Sequence, residues 1–446
     1  MVEKFEIIAK TFEGLEDVLA DELKSIGAED VKVGSKSVSY MGDKEMLYKS
    51  NFRLRTALRI LKPIYTFNAR TVEEFYGQAK KFDWTSVMEL NHKFAVDSVV
   101  DSEHFVHSRY VALKLKDAIA DQFRDKFGKR PFIDPKNPQI QFHVSVVGDL
   151  CTIMLDSSGE PLHRRGYRES QEGSPINESL AAGLILRSGW NGSSDFVDPM
   201  CGSGTLIIEA ALIAYGIPPG VFRQSFGFEN WLDFDDDLLQ SIYNDDSMER
   251  EFSHSIIGRD ISRRAVESAM QNIKSAGLQK KIDIQIASIF DFVPPTSNDG
   301  IVITNPPYGE RLSKEQIEAF YTQLSDNFKQ KYNGYNVWLI SSNMDALRSF
   351  GLRPSQKFFI ANGAVEYKFL QFSMFTGAPK ERPAREKSFN EKPFGEKPRE
   401  KSFGDKSFKD KPFKDKLFKK DNSFTEKPLE DGVNNGMPKK IIKKKQ

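Results

Sequence analysis

Apolar segments of strand length alternate with helix-forming segments from residue 196 to residue 376, and this alternation limits the possible folds more than any other feature. The apolar segments are DFVDP, HSIIGRD, KIDIQI, DGIVIT, YNVWLI and AVEYKFLQF. Strands that are separated by helices favour a parallel, doubly wound sheet. An Asn-Gly pair at 362–363 lies between the two strand-like runs of FFIANGAVEYKFLQF and indicates an antiparallel hairpin. The sequence therefore predicts a doubly wound α/β domain here.

The first 155 residues carry shorter helix and strand signals. The segment GLEDVLADELKSIGA has leucine, valine and isoleucine at helical spacing and ends at a glycine, which is typical of a helix C-terminus. The segments VKVGSKSVSYMGD and IQFHVSVVGDLCTIMLDSSG have the alternation of β-hairpins. We therefore predict α/β structure in this part of the chain as well.

Several classes of protein are disfavoured by the sequence. The longest apolar run, LIIEAALIAYGI at 206–217, is too short to span a bilayer and is interrupted by Glu209. The first residues do not have the pattern of a secretory signal. The two cysteines, Cys151 and Cys201, cannot form a disulfide framework or a cysteine zinc site. We therefore expect a cytoplasmic protein with no bound metal.

The last 70 residues differ from the rest in composition. Residues 377–446 contain 21 basic and 12 acidic side chains, whereas the whole chain has a net charge of +1. A Lys-[Ser/Pro]-Phe unit recurs there and aliphatic residues are scarce, so this Lys/Phe-rich segment cannot bury a core and we predict a disordered basic tail. Such a tail either tethers the protein to RNA through phosphate attraction or only solvates the chain.

The segment VDPMCGSGT (197–205) follows a predicted strand and begins a predicted helix. Glycines let a backbone approach a ligand closely, and a helix N-terminus offers free N–H groups. The segment lacks the Gly-Lys-Ser/Thr of a phosphate loop and the spacing of a dinucleotide fingerprint. It therefore favours a nucleoside-like ligand without a pyrophosphate, with an ordinary strand–helix turn as the alternative.

Two aspartates follow the next two predicted strands. Asp260 lies where an acidic residue accepts both hydroxyls of a ribose, although it could instead cap the helix that follows. Asp291 follows the third strand and could accept an adenine amino hydrogen, or be an exposed loop residue. We call the segment 197–205 the glycine loop. Together with this loop, the two aspartates predict a ligand pocket along the carboxyl edge of the sheet.

The fourth strand ends in TNPPYGERL (304–312), which combines an amide, two prolines and an aromatic ring. An exocyclic base amine is a poor nucleophile, because its lone pair is delocalised into the ring. The Asn305 side-chain oxygen and the Pro306 carbonyl would accept its two hydrogens, and Tyr308 would stack on the flipped base. This combination predicts chemistry on a base amine, carried by positioning and electrostatics.

The basic segment LHRRGYRES (162–170) leads into a predicted helix that starts near Pro175. Its guanidinium groups and its phenol ring suit contacts with RNA phosphates and bases, and they belong to Arg164, Arg165, Tyr167 and Arg168. The alternatives are a solvated linker or a structural loop that packs against the ligand pocket.

DPMCGSGT together with NPPYGERL resembles the class I S-adenosylmethionine-dependent methyltransferases that modify exocyclic amines. With LHRRGYRES and PINESLAAGLILRSGW, the chain resembles more specifically the ribosomal RNA large subunit methyltransferase L family, over residues 1–376. The resemblance implies a ferredoxin-like segment at 1–60, a THUMP RNA-binding domain at 45–155 and a Rossmann-like methyltransferase domain at 160–376. It implies methylation of a guanine N2 in large-subunit (23S) ribosomal RNA, with S-adenosylmethionine as cofactor and RNA as partner.

The resemblance also implies roles for individual residues. Asp260 would bind the ribose and Asp291 the adenine of the cofactor. Asn305, Pro306 and Tyr308 would face the target base. The residues at the methionine end of the cofactor would be Asp198, Cys201, Gly202, Gly204 and Thr205, with Cys201 as a wall of the pocket and not a catalytic thiol.

The sequence leaves three other functions open. Related THUMP methyltransferases act on tRNA, and the NPPY motif does not separate guanine N2 from adenine N6, so tRNA or DNA are possible substrates. A non-catalytic RNA-binding assembly factor could keep the same fold. The intact NPPY and glycine loops favour an enzyme.

Overall fold

The structure is a computed structural model, and it describes residues 3–171, 173–295, 299–307, 313–363 and 365–374. The expectations for Tyr308 and for the tail at 377–446 lie outside these residues. None of the helices in the described ranges is both long and apolar enough to cross a membrane.

Residues 3–156 form one eight-stranded sheet with four α-helices. Its strand order is β2-β3-β1-β4-β8-β7-β5-β6. The elements are β1 (Phe5–Lys10), α1 (Glu16–Ser25), β2 (Glu29–Gly34), β3 (Ser37–Gly42), α2 (Lys44–Arg53), β4 (Arg59–Asn68), α3 (Val72–Ala79), β5 (Lys93–Asp101), α4 (Ser108–Phe127), β6 (Phe132–Ile133), β7 (Ile140–Val147) and β8 (Leu150–Asp156). Strand β4 pairs with β1 on one side and with β8 on the other. The two predicted N-terminal units therefore share a single sheet.

The C-terminal part forms a seven-stranded sheet in the order β11-β10-β9-β12-β13-β15-β14. Its elements are α5 (Glu178–Arg187), β9 (Phe196–Asp198), α6 (Thr205–Ala214), α7 (Asp236–Tyr243), β10 (Ile256–Asp260), α8 (Arg263–Ser275), β11 (Asp283–Ile286), β12 (Gly300–Thr304), α9 (Lys314–Lys331), β13 (Tyr335–Ser341), α10 (Met344–Ser349), β14 (Gln356–Asn362) and β15 (Val365–Ser373). The first five strands in this order are parallel, and β15 is antiparallel to β13 and β14. The predicted doubly wound sheet and its terminal hairpin are confirmed.

The strand order reverses between β9 and β12. The chain moves from β9 outward through β10 to β11, and then returns to the other side of β9 at β12. Helices that leave the two central strands in opposite directions open a crevice at the carboxyl ends, where open α/β sheets bind ligands. All five residues of β12 are buried, so the chain that leaves this strand starts from a rigid base.

Helix α6 explains the longest apolar run of the sequence. Every one of its ten residues is buried, including Glu209, because the helix packs against β9, β10 and α5. A helix that is apolar on all sides is buried in the core of a protein or in a membrane. Here it lies in the core, and its one acid finds partners inside the protein.

Candidate active site

A cavity of about 530 Å³ opens at the carboxyl ends of β9, β10, β11 and β12. Residues 173–176 before α5 form one wall, and residues from 198 to 206 form the floor. The other walls come from Asp260 and Ile261, from residues 288–290, and from Asn305 and Pro307. Ligand sites of small molecules have volumes of roughly 300–1,000 Å³. The predicted pocket at the sheet edge is therefore present.

The two glycines of the glycine loop have different structural roles. Gly202 has φ +53° and lines the cavity, and a Cβ built on it would meet no atom within 4 Å. Gly204 has φ +85°, is the N-cap of α6, and does not line the cavity. A Cβ on Gly204 would lie 3.0 Å from the Cβ of Ala269 on α8. Gly202 therefore leaves room for a ligand, whereas Gly204 permits close packing of the loop on α8.

Asp260 lines the cavity and holds the glycine loop in place. One carboxylate oxygen accepts from the Gly202 N–H at 2.9 Å, and the other accepts from the Ser262 N–H at 2.8 Å. The N-cap of α8 is Ser262, whose hydroxyl accepts from the Ala265 N–H. The alternative that Asp260 caps this helix is therefore wrong.

Asp198 lies at the floor of the cavity and is 1% exposed. Its Oδ1 accepts from the Thr304 hydroxyl at 2.8 Å and from the Met200 N–H at 3.2 Å. Burial raises the pKa of Asp198 to about 7, and the nearby charge of Asp260 also raises it. The hydrogen bond from Thr304 acts in the opposite direction and lowers the pKa. The contact with Thr304 joins the end of β9 to the residue before Asn305.

Cys201 is buried in the cavity wall, where it lines the space beside the glycine loop. Burial raises the pKa of its thiol well above the usual value, and the nearby Asp198 and Asp260 raise it further. A thiol of this kind stays protonated at neutral pH and is a poor nucleophile.

Asp291 is exposed and is not among the residues that line the cavity. The lining beyond β10 and β11 is mostly apolar instead, with Ile261, Ile289 and Phe290 beside Ser288. Ile261 is 75% exposed, so it offers an open apolar surface to a flat ring. Sequence reasoning missed these residues, although their signal is simple: each follows a strand end in the predicted sheet.

The chain that leaves β12 reaches the cavity. Asn305 and Pro307 line it, and Pro306 between them is buried. The structure therefore brings Asn305 together with the glycine loop, Asp198 and Asp260. Phe320 on α9 also lines this side and was not expected from the sequence.

The arginines of LHRRGYRES have separate positions. Arg165 is 2% exposed and pairs with Glu209 of α6, and Tyr167 is 1% exposed and donates to the same carboxylate at 2.9 Å. Arg168 is half-buried and pairs with Glu178 at 2.6 Å. Arg164 remains exposed, with Glu160 at 3.3 Å.

These positions correct the expectation that Arg165 and Tyr167 contact RNA, because an enclosed side chain presents no surface to a partner. The alternative of a structural loop that packs against the ligand pocket describes them better. Burial of the Arg165 charge is compensated by the Glu209 carboxylate and by two backbone carbonyls, those of Leu162 and Arg55.

Residues 165–370 match the family model of the RMKL-like methyltransferase domain. Residues 69–156 match the THUMP domain, and residues 6–61 match the RlmL ferredoxin-like domain. The Synechocystis sp. protein slr0064, provisionally named an RNA methyltransferase, is 34% identical over 365 residues, which cover 81% of this chain and 95% of that protein. The chain belongs to the RMKL-like methyltransferase family. The predicted succession of ferredoxin-like, THUMP and Rossmann-like parts is confirmed.

Two further relatives carry the name ribosomal RNA large subunit methyltransferase K/L. The protein of Syntrophotalea carbinolica is 34% identical over 373 residues, and that of Marinomonas sp. is 34% identical over 381 residues. The matches cover 81% and 82% of this chain but only 52% of each relative. The chain therefore spans about half the length of these K/L relatives.

Solved structures show the same fold. SMU.472, provisionally named a methyltransferase and crystallised with SAH, has a TM-score of 0.74 and 31% identity, covering 84% of this chain and 99% of its own. A Listeria monocytogenes protein named as a predicted N6-adenine-specific DNA methylase has a TM-score of 0.72 and 28% identity, covering 83% and 96%.

The enzyme is an S-adenosylmethionine-dependent methyltransferase, and the cavity fits this cofactor. Carboxylates at Asp198 and Asp260 suit an ammonium group and ribose hydroxyls, hydroxyls at Ser203 and Thr205 suit a carboxylate, and the apolar wall at 289–290 suits an adenine ring. The open space beside Gly202 leaves room for the ligand to approach the backbone. The expected cofactor is confirmed.

Proposed function

We propose that the protein methylates the exocyclic N2 amine of a guanine in RNA, with large-subunit (23S) ribosomal RNA as the substrate. The observation that carries this proposal is the position of Asn305. It lies at the end of the buried strand β12 and in the same cavity as the glycine loop, so an amine bound there would meet the cofactor.

Asn305 and Pro306 would prepare the amine for attack. The side-chain oxygen of Asn305 and the carbonyl of Pro306 would each accept one N–H of the amine, which draws the nitrogen toward tetrahedral geometry and frees its lone pair. The bound cofactor supplies an electrophilic methyl group. Pro307 restricts the backbone of Pro306 and so reduces the cost of holding both acceptors in place. Tyr308 would stack on the base.

We assign the first recognition of RNA to the N-terminal sheet. A groove of about 290 Å³ lies between β5 and α4, and Arg109 and Lys116 contribute cations to it. In the described ranges, neither cation lies within ion-pairing distance of a carboxylate. Unpaired cations attract phosphates without reading sequence. The names of the K/L relatives and of slr0064, all RNA methyltransferases, support an RNA partner over a protein.

A DNA adenine-N6 methyltransferase is the second candidate. The Listeria neighbour carries that name, and an asparagine followed by prolines would accept the hydrogens of an adenine amine equally well. The THUMP match supports RNA instead. With an RNA substrate, the enzyme would act in the cytoplasm.

Methyl transfer from labelled S-adenosylmethionine to separate substrate pools tests the proposal. The pools are tRNA, mature 23S ribosomal RNA, ribosomal RNA transcribed without modification, and DNA, each digested to nucleosides afterwards. We expect N2-methylguanosine from the unmodified ribosomal transcript. The same nucleoside from tRNA alone would overturn the substrate, N6-methyladenosine would overturn the base, and no product from any pool would overturn the proposed activity.

A further inference from the structure

Residues 162–171 and 173–177 lie between the N-terminal sheet and α5, and we call them the strap. Its last residues, 173–176, form a wall of the cofactor cavity. The strap is held to the methyltransferase core by Arg165 and Tyr167, which both reach Glu209. The position of this wall therefore depends on side chains within the strap itself.

Arg168 joins the strap to the floor of the cavity. Its Nε donates to Glu178 Oε1 at 2.6 Å, its Nη1 to the Ser203 hydroxyl at 3.2 Å, and its Nη2 to the Thr205 hydroxyl at 2.8 Å. A longer contact of 3.4 Å reaches the carbonyl of Ile176 in the strap wall. One planar group thus contacts α5, the strap and both residues that flank Gly204.

The location of this cation is unusual for an arginine with only a packing role. Glu178 and Thr205 are the first residues of α5 and α6, so the guanidinium lies beside two helix N-termini. Helix N-termini favour anions and disfavour cations. Glu178 offsets part of this cost. A fixed positive charge at this place is better suited to an anionic group in the cavity.

The hydrogen-bond directions point to the same conclusion. A guanidinium only donates, so the Ser203 and Thr205 oxygens must accept from Arg168. Each hydroxyl then still has one O–H to donate. In the described part of the chain, neither hydroxyl donates to another protein atom, and both residues line the cavity. Two O–H donors are therefore available to a ligand.

Asn272 of α8 fixes the same arrangement from below. It is fully buried, and its Nδ2 donates to the carbonyls of Ser170 at 2.9 Å and Ser203 at 3.0 Å. Its Oδ1 accepts from the N–H groups of Glu169 and Ser170. Because one buried amide binds both the strap and the glycine loop, the two segments are held in register before any ligand arrives.

We propose that Arg168 is a positioning residue for the carboxylate of the bound S-adenosylmethionine. It orients the Ser203 and Thr205 hydroxyls as donors to that carboxylate and places a positive charge behind them. Asp198 and Asp260 occupy the same cavity, so this charge also reduces the repulsion that they exert on the carboxylate. The inference concerns the cofactor and does not depend on which base is methylated.

Calorimetry with two ligands tests this role. S-adenosylhomocysteine carries the carboxylate, and its decarboxylated analogue has the same amine and nucleoside without it. Arg168→Lys keeps a charge near Glu178 but cannot reach both hydroxyls. We expect it to raise the Kd of S-adenosylhomocysteine about tenfold or more, as for a lost charge-assisted hydrogen bond. The Kd of the decarboxylated analogue should change less than twofold.

Two further variants make the result unambiguous. Ser203→Ala removes one proposed donor from a small buried side chain and should also weaken S-adenosylhomocysteine selectively. Arg187→Lys is the matched control, because Arg187 is a partly buried arginine at the other end of α5 that pairs with Asp17. It should leave both Kd values unchanged. Equal weakening of both ligands by Arg168→Lys would show a structural role only and overturn the proposal, as would no effect on either.

Discussion

The cofactor cavity and the groove beside α4 use charge in opposite ways. In the cavity, the carboxylates of Asp198 and Asp260 accept from backbone N–H groups or a hydroxyl, and Arg168 is bound to Glu178. In the groove, Arg109 is exposed and Lys116 is partly exposed. The cavity is thus organised before its ligand binds, whereas the groove leaves its cations open to solvent.

This difference indicates that the two regions suit different kinds of ligand. A preorganised site loses little free energy to reorganisation when its ligand enters, which suits a small cofactor of constant structure. Hydrated surface cations attract phosphates over a distance and release counterions on contact, which suits a large polyanion. Variants in one region should therefore leave the ligand of the other region unaffected.

The largest effect is expected where the two ligands meet. Asn305→Ala removes one proposed acceptor of the amine, and loss of one such positioned group typically costs 10²–10³ in kcat. We expect a loss of this size in single-turnover methyl transfer, with the Kd values of S-adenosylhomocysteine and RNA within about twofold of those of the unaltered enzyme.

Asn305→Asp is the matched variant, because it keeps an acceptor oxygen at the same position. It should retain more turnover than Asn305→Ala. Equal activity of the alanine variant and the unaltered enzyme would refute the acceptor role of Asn305.

The second prediction concerns the loss of folding stability caused by burying the Asp198 carboxylate in the cavity. The folded pKa of Asp198 is about 7 and lies above its ordinary value of 3.8, because burial disfavours the charged carboxylate. The folded state therefore holds this proton more tightly than the unfolded state. The stabilising contribution is complete below pH 3.8, is lost as the pH rises to about 7, and is constant above that.

Asp198→Asn removes this titration and keeps an acceptor oxygen for Thr304. We expect its free energy of unfolding, relative to the unaltered protein, to increase between pH 4 and pH 8 by on the order of 1–4 kcal/mol. Urea unfolding at the two pH values measures it. At the same time, the variant should bind S-adenosylhomocysteine more weakly, as expected when a functional group destabilises the fold. If the difference in unfolding free energy between Asp198→Asn and the unaltered protein did not change with pH, the raised pKa of Asp198 would be contradicted.

The third prediction separates Asp260, the last residue of β10, from Asp291, which follows β11. Asp260→Asn leaves one acceptor oxygen where two ribose hydroxyls and two N–H groups need several, so we expect the Kd of S-adenosylhomocysteine to rise about 10- to 100-fold. Asp291→Asn should leave it unchanged, because that side chain is exposed and does not line the cavity. Weakening by Asp291→Asn would restore the predicted contact with adenine.

The features that the sequence predicts correctly are local in the chain. The strand–helix alternation, the terminal hairpin and the glycine loop are each encoded within a few consecutive residues. The N-cap of α8 cannot be predicted from the local sequence, because Asp260 and Ser262 are two residues apart and both residue types suit a cap. Only the backbone geometry decides between them, and it selects Ser262.

The features that the sequence does not predict depend on partners far along the chain. Arg165 and Tyr167 meet Glu209, which follows them by 44 and 42 residues, and the identity of this partner depends on the burial of α6. Without this distant partner, the segment LHRRGYRES is equally typical of an RNA-binding segment. Likewise, the apolar wall at Ile261 and Phe290 exists only because parallel strands bring their ends to one edge.

The fourth prediction addresses the groove. The double variant Arg109→Glu, Lys116→Glu should raise the Kd of RNA about tenfold at moderate salt and reduce the slope of log Kd against log salt by about 2. S-adenosylhomocysteine binding should not change, because the groove and the cavity lie in different sheets. Arg348→Glu is the control, since Arg348 is an exposed arginine on α10. An unchanged salt slope would exclude this groove as the RNA surface.

The smallest effect is expected from the tail, where the sequence alone provides the argument. Deleting residues 377–446 removes a net charge of +9, so the KM for RNA should rise by roughly two- to fivefold at moderate salt, with cofactor binding unchanged. Stacking and charge can be separated by replacing the four evenly spaced rings, Phe403, Phe408, Phe413 and Phe418, with serine. A KM that rises with deletion but not with these serines would assign the tail to phosphate attraction alone, as in the groove. An unchanged KM in both would make the tail a solvating extension and leave RNA capture to the folded part of the chain.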